Sequence, residues 1–172
     1  MSNPLIIIST DEDGRRTVHR WSSYGELAVA YWSEQKMWRD RDGGLGRQLT
    51  AAIDFVSEVT MCHAVDGLEV VQALVDAAAD DVALQFVGAG PLEDLIVDKR
   101  STPQLLDAVA ELAATSARWR QAIAHAWVGS SRGLDETQRA RLVALGARDL
   151  GAGPSGHCDD DHNWLPDNKS PS

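Results

Sequence analysis

Glu93, Asp94 and Asp98 follow a glycine-rich stretch, VGAGPLEDLIVD (87–98), and are the side chains best suited by type and spacing to acid–base or metal chemistry. Asp94 and Asp98 are four residues apart, so a helix places both on one face, away from Leu92, Leu95 and Ile96. Carboxylates confined together in a pocket share a proton or hold a cation. On a hydrated helix face they do neither, and serve as an acidic surface. Asp76, Asp80 and Asp81 lie just upstream, and the six together form a candidate interaction surface. The enzymatic alternative is a carboxylate-lined groove between helices, built around Glu93 and Asp94 with His125 beside them.

Other sets are weaker. Cys62, His63, His157 and Cys158 are zinc-type donors, but two adjacent Cys–His pairs differ from the usual CxxC spacing. The tail from His157 to His162 could chelate a metal loosely. Asp159, Asp161 and Asn163 imitate the start of a calcium loop, yet Trp164 stands where glycine is needed and Ser170 where the closing Glu is needed. Asp11, Asp13 and Gly14 lack the distal Glu altogether. No GxSxG nucleophile elbow occurs. Gly43, Gly44 and Gly46 follow no apolar strand, which argues against a dinucleotide loop. No metal, cofactor or catalytic residue is assigned. Trp32, Trp38, Trp119 and Trp127 suit either a core or an exposed binding surface.

Charge is distributed unevenly along the 172 residues, whose net charge is −10. Residues 1–47 balance, with seven acids and seven bases. Residues 48–98 hold ten acids and no Lys or Arg, whereas 99–148 hold eight bases and four acids. Such polarity steers a basic protein towards the acidic part. It disfavours nucleic acid, because phosphate is repelled and no basic patch is interleaved with aromatics. No apolar run reaches the roughly 20 residues of a membrane span, and Leu5–Ile8 is too short for a signal sequence. Two cysteines do not make a disulfide framework. These features predict a cytoplasmic protein without a membrane partner.

The elements that must position these side chains are mostly helices. Leu5–Ser9 and Thr17–Trp21 flank turn chemistry at Asp11–Gly14 and predict a small hairpin. Ser23 and Glu26 stand at capping-box spacing before a first helix carrying Leu27, Ala28 and Tyr31. A second helix is expected from Gln48 to Cys62. A third follows an Asp66–Glu69 capping pair and carries Leu68, Val71, Leu74, Val75 and Ala78. Val82, Ala83, Phe86 and Val87 form the next apolar stripe, behind Asp80 and Asp81. Gly88 is then expected to close that helix with positive φ, and Pro91 to open another in its first turn. Thr102–Pro103, Ser116 and Asp135 each start a further helix. Beyond Gly146 the Gly, Pro, Ser and Asp content predicts disorder. The fold class is therefore all-α, a compact array of about six or seven antiparallel helices with a small N-terminal β-hairpin. Its parts are a 1–20 extension, a 21–148 helical domain and a 149–172 acidic tail.

From about Leu68 to Val128 the chain resembles a family of uncharacterised bacterial helical domains. The shared features are the GAGPLEDLI stretch (88–96), the preceding ALVDAAADDVALQFV and the later AHAWVG, with an aromatic opening helix like AYWSEQKMW. The resemblance implies a bacterial helical domain and brings no activity, cofactor or site residue. Charge, size and the lack of a catalytic set lead to a non-enzymatic, immunity-like or regulatory module that binds a basic protein.

Overall fold

A computed structural model describes residues 5–10, 14–40, 50–62, 66–97, 101–129 and 134–150, with the short segments 157–158 and 164–165. Strands β1 (Leu5–Thr10) and β2 (Arg16–Trp21) pair antiparallel, Ile8 opposite Val18 and Leu5 opposite Trp21. Gly14, at φ 79°, lies in their connection, in a conformation that residues with a Cβ rarely adopt. The ribbon is anchored on one side only. Trp21 is buried and its ring meets Phe55 at 5.4 Å, while Leu5 and Ile7 pack against the core.

Helix α1 (Tyr24–Asp40) starts at a variant of the expected box: Ser23 Oγ accepts from Glu26 N–H, and Glu26 reaches back to Ser22 N–H at 2.7 Å. The Ser22 hydroxyl, which also donates to that carboxylate, and then the Ser22 N–H hold the Glu26 carboxyl below its ordinary pKa. Helices α2 (Ala51–Met61) and α3 (Gly67–Ala77) pack against α1 and each other. Their caps come from a distance. Thr50 makes no side-chain cap; Glu34 of α1 instead accepts from Ala52 and Ile53 N–H. A carboxylate there meets the free N–H groups and positive end of α2. Burial is the larger influence on Glu34 and raises its pKa, against the lowering by those hydrogen bonds. The expected Asp66–Glu69 box does not form, since Asp66 makes no cap hydrogen bond. Its carboxylate is engaged by Tyr24.

The largest departure from expectation lies in GAGPLEDLI. Gly88 does not close a helix: its φ and ψ are −63° and −49°, ordinary right-handed values. Helix α4 (Asp81–Val87) runs into one wide π turn (Gly88–Leu92) and straight on into α5 (Glu93–Ile96). Two causes combine. A proline inside a regular helix loses one N–H and presses on the carbonyl four residues back, and the π turn surrounds Pro91. The wide turn also absorbs about one residue, roughly 100°, of helical phase. Without it, the stripe Ala83–Leu84–Val87 and the stripe Leu92–Leu95–Ile96 would diverge; with it, both are buried.

Helices α6 (Pro103–Thr115), α7 (Ala117–Ile123) and α8 (Glu136–Ala144) start where the sequence predicts. Thr102 accepts from Leu105 N–H, Ser116 from Trp119 N–H, and Asp135 and Gln138 form a full capping box. Two further two-residue strands, β3 (Trp127–Val128) and β4 (Arg148–Asp149), pair in parallel across α8. Strands β5 (His157–Cys158) and β6 (Trp164–Leu165) pair antiparallel. The rest of the expected disordered tail lies outside the described residues. The architecture is thus mostly helical with a small antiparallel hairpin, and no described helix is long and apolar enough to cross a membrane.

Candidate functional site

The five described carboxylates of the six candidates do not form one surface. Asp76, in the last turn of α3, and Asp80 and Asp81, at the start of α4, are exposed at the α3–α4 corner. Asp80 accepts from Ala83 N–H at 2.8 Å, which sets the start of α4. Glu93 belongs elsewhere. It is 6% exposed, and its carboxylate accepts from Trp127 N–H at 2.9 Å, tying α5 to β3. The segment after α7 covers it, as the bond from Trp127 N–H shows. Asp94 is half-buried and helps hold the Tyr31 hydroxyl in its neutral form. Asp98 lies outside the described residues.

Sequence periodicity also misassigned two apolar residues. Val82 and Phe86 are not core; they are 50% and 38% exposed, four residues apart on the outer face of α4, while Ala83, Leu84 and Val87 are buried. They stand beside Asp81 and add an apolar strip to the acidic corner. The Arg39 guanidinium lies 5.4 Å from the Phe86 ring centroid, so the end of α1 borders this strip.

The basic segment supplies the helix ends that the acidic one lacks. No basic residue stands in the last turn of α3 or α6. Arg118 of α7 donates to Val75 O at 2.7 Å and to Ala78 O, covering the end of α3. Arg120 donates to Ala113 O at 2.7 Å at the end of α6, and Arg148 to Ala124 O at 3.0 Å, beyond α7. Each guanidinium satisfies free carbonyls at the negative end of a helix. For Arg118 the signal was the 51-residue stretch without Lys or Arg (48–98), within which the end of α3 had to find its cation elsewhere; the carbonyls that Arg120 and Arg148 cover lie in the basic segment itself.

The enzymatic grouping is only partly brought together. His125 stands at the end of α7, opposite the π turn, and its Nδ1 lies 3.3 Å from Arg148 Nη2. Arg148 also lies 5.8 Å from the ring of exposed Trp127. Glu93 and Arg148 thus bind backbone groups of the segment that carries His125, and Arg148 meets the imidazole itself.

Trp119 is buried, and Trp32 donates from Nε1 to Leu74 O at 3.3 Å, so both serve packing. The side chain of Trp38 lies outside the described residues, as do His63 and the side chains of His157 and Cys158; Cys62 is an exposed free thiol. Among the described residues no group of three or more His, Cys, Asp or Glu is placed to hold a metal. The chain matches no family model, no curated protein and no solved structure.

Proposed function

We propose that this protein is a non-enzymatic, immunity-like or regulatory module of a bacterial cytoplasm that binds a basic protein through its acidic α3–α4 corner. The observation that carries the reading is the exposure of Asp76, Asp80 and Asp81 beside the Val82–Phe86 strip. Carboxylates around an exposed apolar strip supply both steering and contact area. Of the neighbouring cations, Arg118 donates to backbone carbonyls, while Arg39 lies over Phe86 and borders the strip. The resemblance of residues 68–128 to uncharacterised bacterial helical domains accords with the bacterial setting.

The test is capture from the native host, followed by titration of the captured protein against the native chain and an Asp76→Arg, Asp80→Asn, Asp81→Arg variant. Asparagine at 80 keeps the helix cap. A basic partner with at least about tenfold weaker binding to the variant is expected. Failure to capture a specific partner, or undiminished binding to the variant, would overturn the reading.

A further inference from the structure

Strand β3 pairs with β4 so that Trp127 stands directly opposite Arg148. Residues paired across a ladder project to the same face, and the Arg148 guanidinium accordingly lies 5.8 Å from the Trp127 ring centroid. Both side chains are exposed, whereas Val128, the next residue, is fully buried. Backbone bonds hold the pair in place. Arg148 N–H donates to Ala126 O at 2.8 Å, and Trp127 N–H donates to the buried Glu93 at 2.9 Å. An exposed indole forgoes a large apolar burial. The other tryptophan side chains that the structure describes do not: Trp21 and Trp119 are buried and Trp32 is half-buried.

A guanidinium carries its donors in a fixed fork and grips an oxyanion with two parallel N–H groups. The side edge of Arg148, formed by Nε and one hydrogen of Nη2, is occupied at the end of α7. Nε donates to Ala124 O at 3.0 Å, and Nη2 lies 3.3 Å from His125 Nδ1. The end edge, formed by Nη1 and the other hydrogen of Nη2, meets no acceptor among the described residues. No carboxylate among them pairs with Arg148 either. Asp149 is taken by Arg139 at 2.9 Å, Asp107 by Arg141, and Glu93 by the Trp127 amide. The Arg148 charge thus stands without a described acid beside it, in a segment (99–148) of eight bases and four acids.

We propose that Arg148 and Trp127 form a binding site for a small aromatic anion, a carboxylate or phosphate ester carried on a flat ring. The oxyanion takes the end edge of the guanidinium through two parallel N–H···O bonds, and the ring lies against the exposed indole. Ala124 O and His125, at the side edge, orient the free edge before the ligand arrives, which lowers the cost of ordering it. At about 0.1 M salt, charges more than about 10 Å away are largely screened. The local guanidinium therefore outweighs the net charge of −10. The site does not rest on the α3–α4 corner or on its protein partner.

Titration of the full chain with benzoate, phenyl phosphate, acetate and inorganic phosphate, followed by heteronuclear NMR, tests this at up to about 10 mM, where even weak binding is populated. The two ring-bearing probes are expected to shift the Trp127 indole N–H and Arg148 Nε–H signals saturably. They should bind at least about tenfold more tightly than acetate and inorganic phosphate. Whichever of benzoate and phenyl phosphate binds more tightly identifies the oxyanion as carboxylate or phosphate. Arg148→Lys keeps the charge without the fork and should weaken both at least about fivefold. Arg141→Gln, which removes an arginine elsewhere, should change neither by more than about twofold. Trp127→Leu should abolish the advantage of the ring and leave the bare anions unaffected. Amide signals far from the site report whether each variant is folded, and the preference of the native chain for ring-bearing probes is read without any variant. No saturable shift with either ring-bearing probe, no preference for them over the bare anions, equal effects of Arg148→Lys and Arg141→Gln, or a ring preference that survives Trp127→Leu would each overturn the proposal.

Discussion

Glu93 shows how little a residue type says about its role. In the sequence it is one acid among ten in an uninterrupted acidic stretch; in the fold its carboxylate is buried and receives the Trp127 amide. A hydrogen bond to a charged group contributes about 1.5–3 kcal/mol, and an amide stripped of its acceptor bears the full desolvation cost. Glu93→Ala should therefore lower the unfolding free energy by about 2–3 kcal/mol in urea titration. Glu93→Gln keeps an acceptor oxygen and should cost less than half as much. A neutral alanine variant would show that water replaces the carboxylate and that the tie between α5 and β3 is dispensable. Arg118 is the converse case. The sequence shows a surface-type cation, and the structure directs its donors to the last carbonyls of α3.

At the scale of elements, the stretch from Gly88 to Ile96 is one continuous helix with a wide turn, and its two glycines have different reasons to be there. A Cβ at Gly88 would stand 2.1 Å from Ala122 O and 2.9 Å from the His125 Cβ, so the glycine allows the π turn to touch the backbone of α7. A Cβ at Gly90 would meet nothing within 4 Å. Gly88→Ala should cost at least about 2–3 kcal/mol, because a backbone carbonyl cannot step aside cheaply. Gly90→Ala should be neutral or should stabilise by up to about 1 kcal/mol, through the smaller entropy of the unfolded chain. Thermal unfolding of the two variants measures the contrast, and equal effects would refute the close approach at Gly88. The helix starts at Thr102, Ser116 and Asp135 were legible because a cap acts within three residues of itself. The caps from Glu34, Arg118 and Arg148 were not, because their partners are remote in sequence.

For the whole molecule, the two tyrosines report on how α1 is held. Tyr31 is raised to about 12, mainly by burial, with Asp94 adding to the shift and a hydrogen bond from Gln35 opposing it. Tyr24 is raised to about 12 by burial together with its hydrogen bond to Asp66. The fold thus favours the neutral phenol. The stability this contributes is complete below pH 10, the ordinary tyrosine value, and is lost as pH rises towards 12. Tyrosinate absorbance should consequently appear near pH 12 or together with unfolding, and Tyr31→Phe should flatten the loss of stability between these limits. Two tyrosines titrating near 10 in the folded chain would contradict the packing of α1. The polarity of the chain has an equally global use. Helix α3 of the acidic segment ends on Arg118, drawn from the basic segment, so the two parts of the uneven sequence meet inside the fold.

Features that depend on neighbours a few residues apart are legible in the chain before it folds. They include the hairpin with Gly14 at its turn, the starts of α1, α6, α7 and α8, and most of the apolar stripes. The accumulation of acids in 48–98 and of bases after it is likewise visible there. Other features needed the packed molecule, because they depend on phase and on distant partners. A continuous helix through Gly88 and Pro91 rather than a turn is a matter of bringing two stripes to one core and letting a glycine meet α7. The division of the acids, with Glu93 inside and Asp76, Asp80 and Asp81 outside, depends on the remote segment after α7, whose Trp127 N–H meets Glu93.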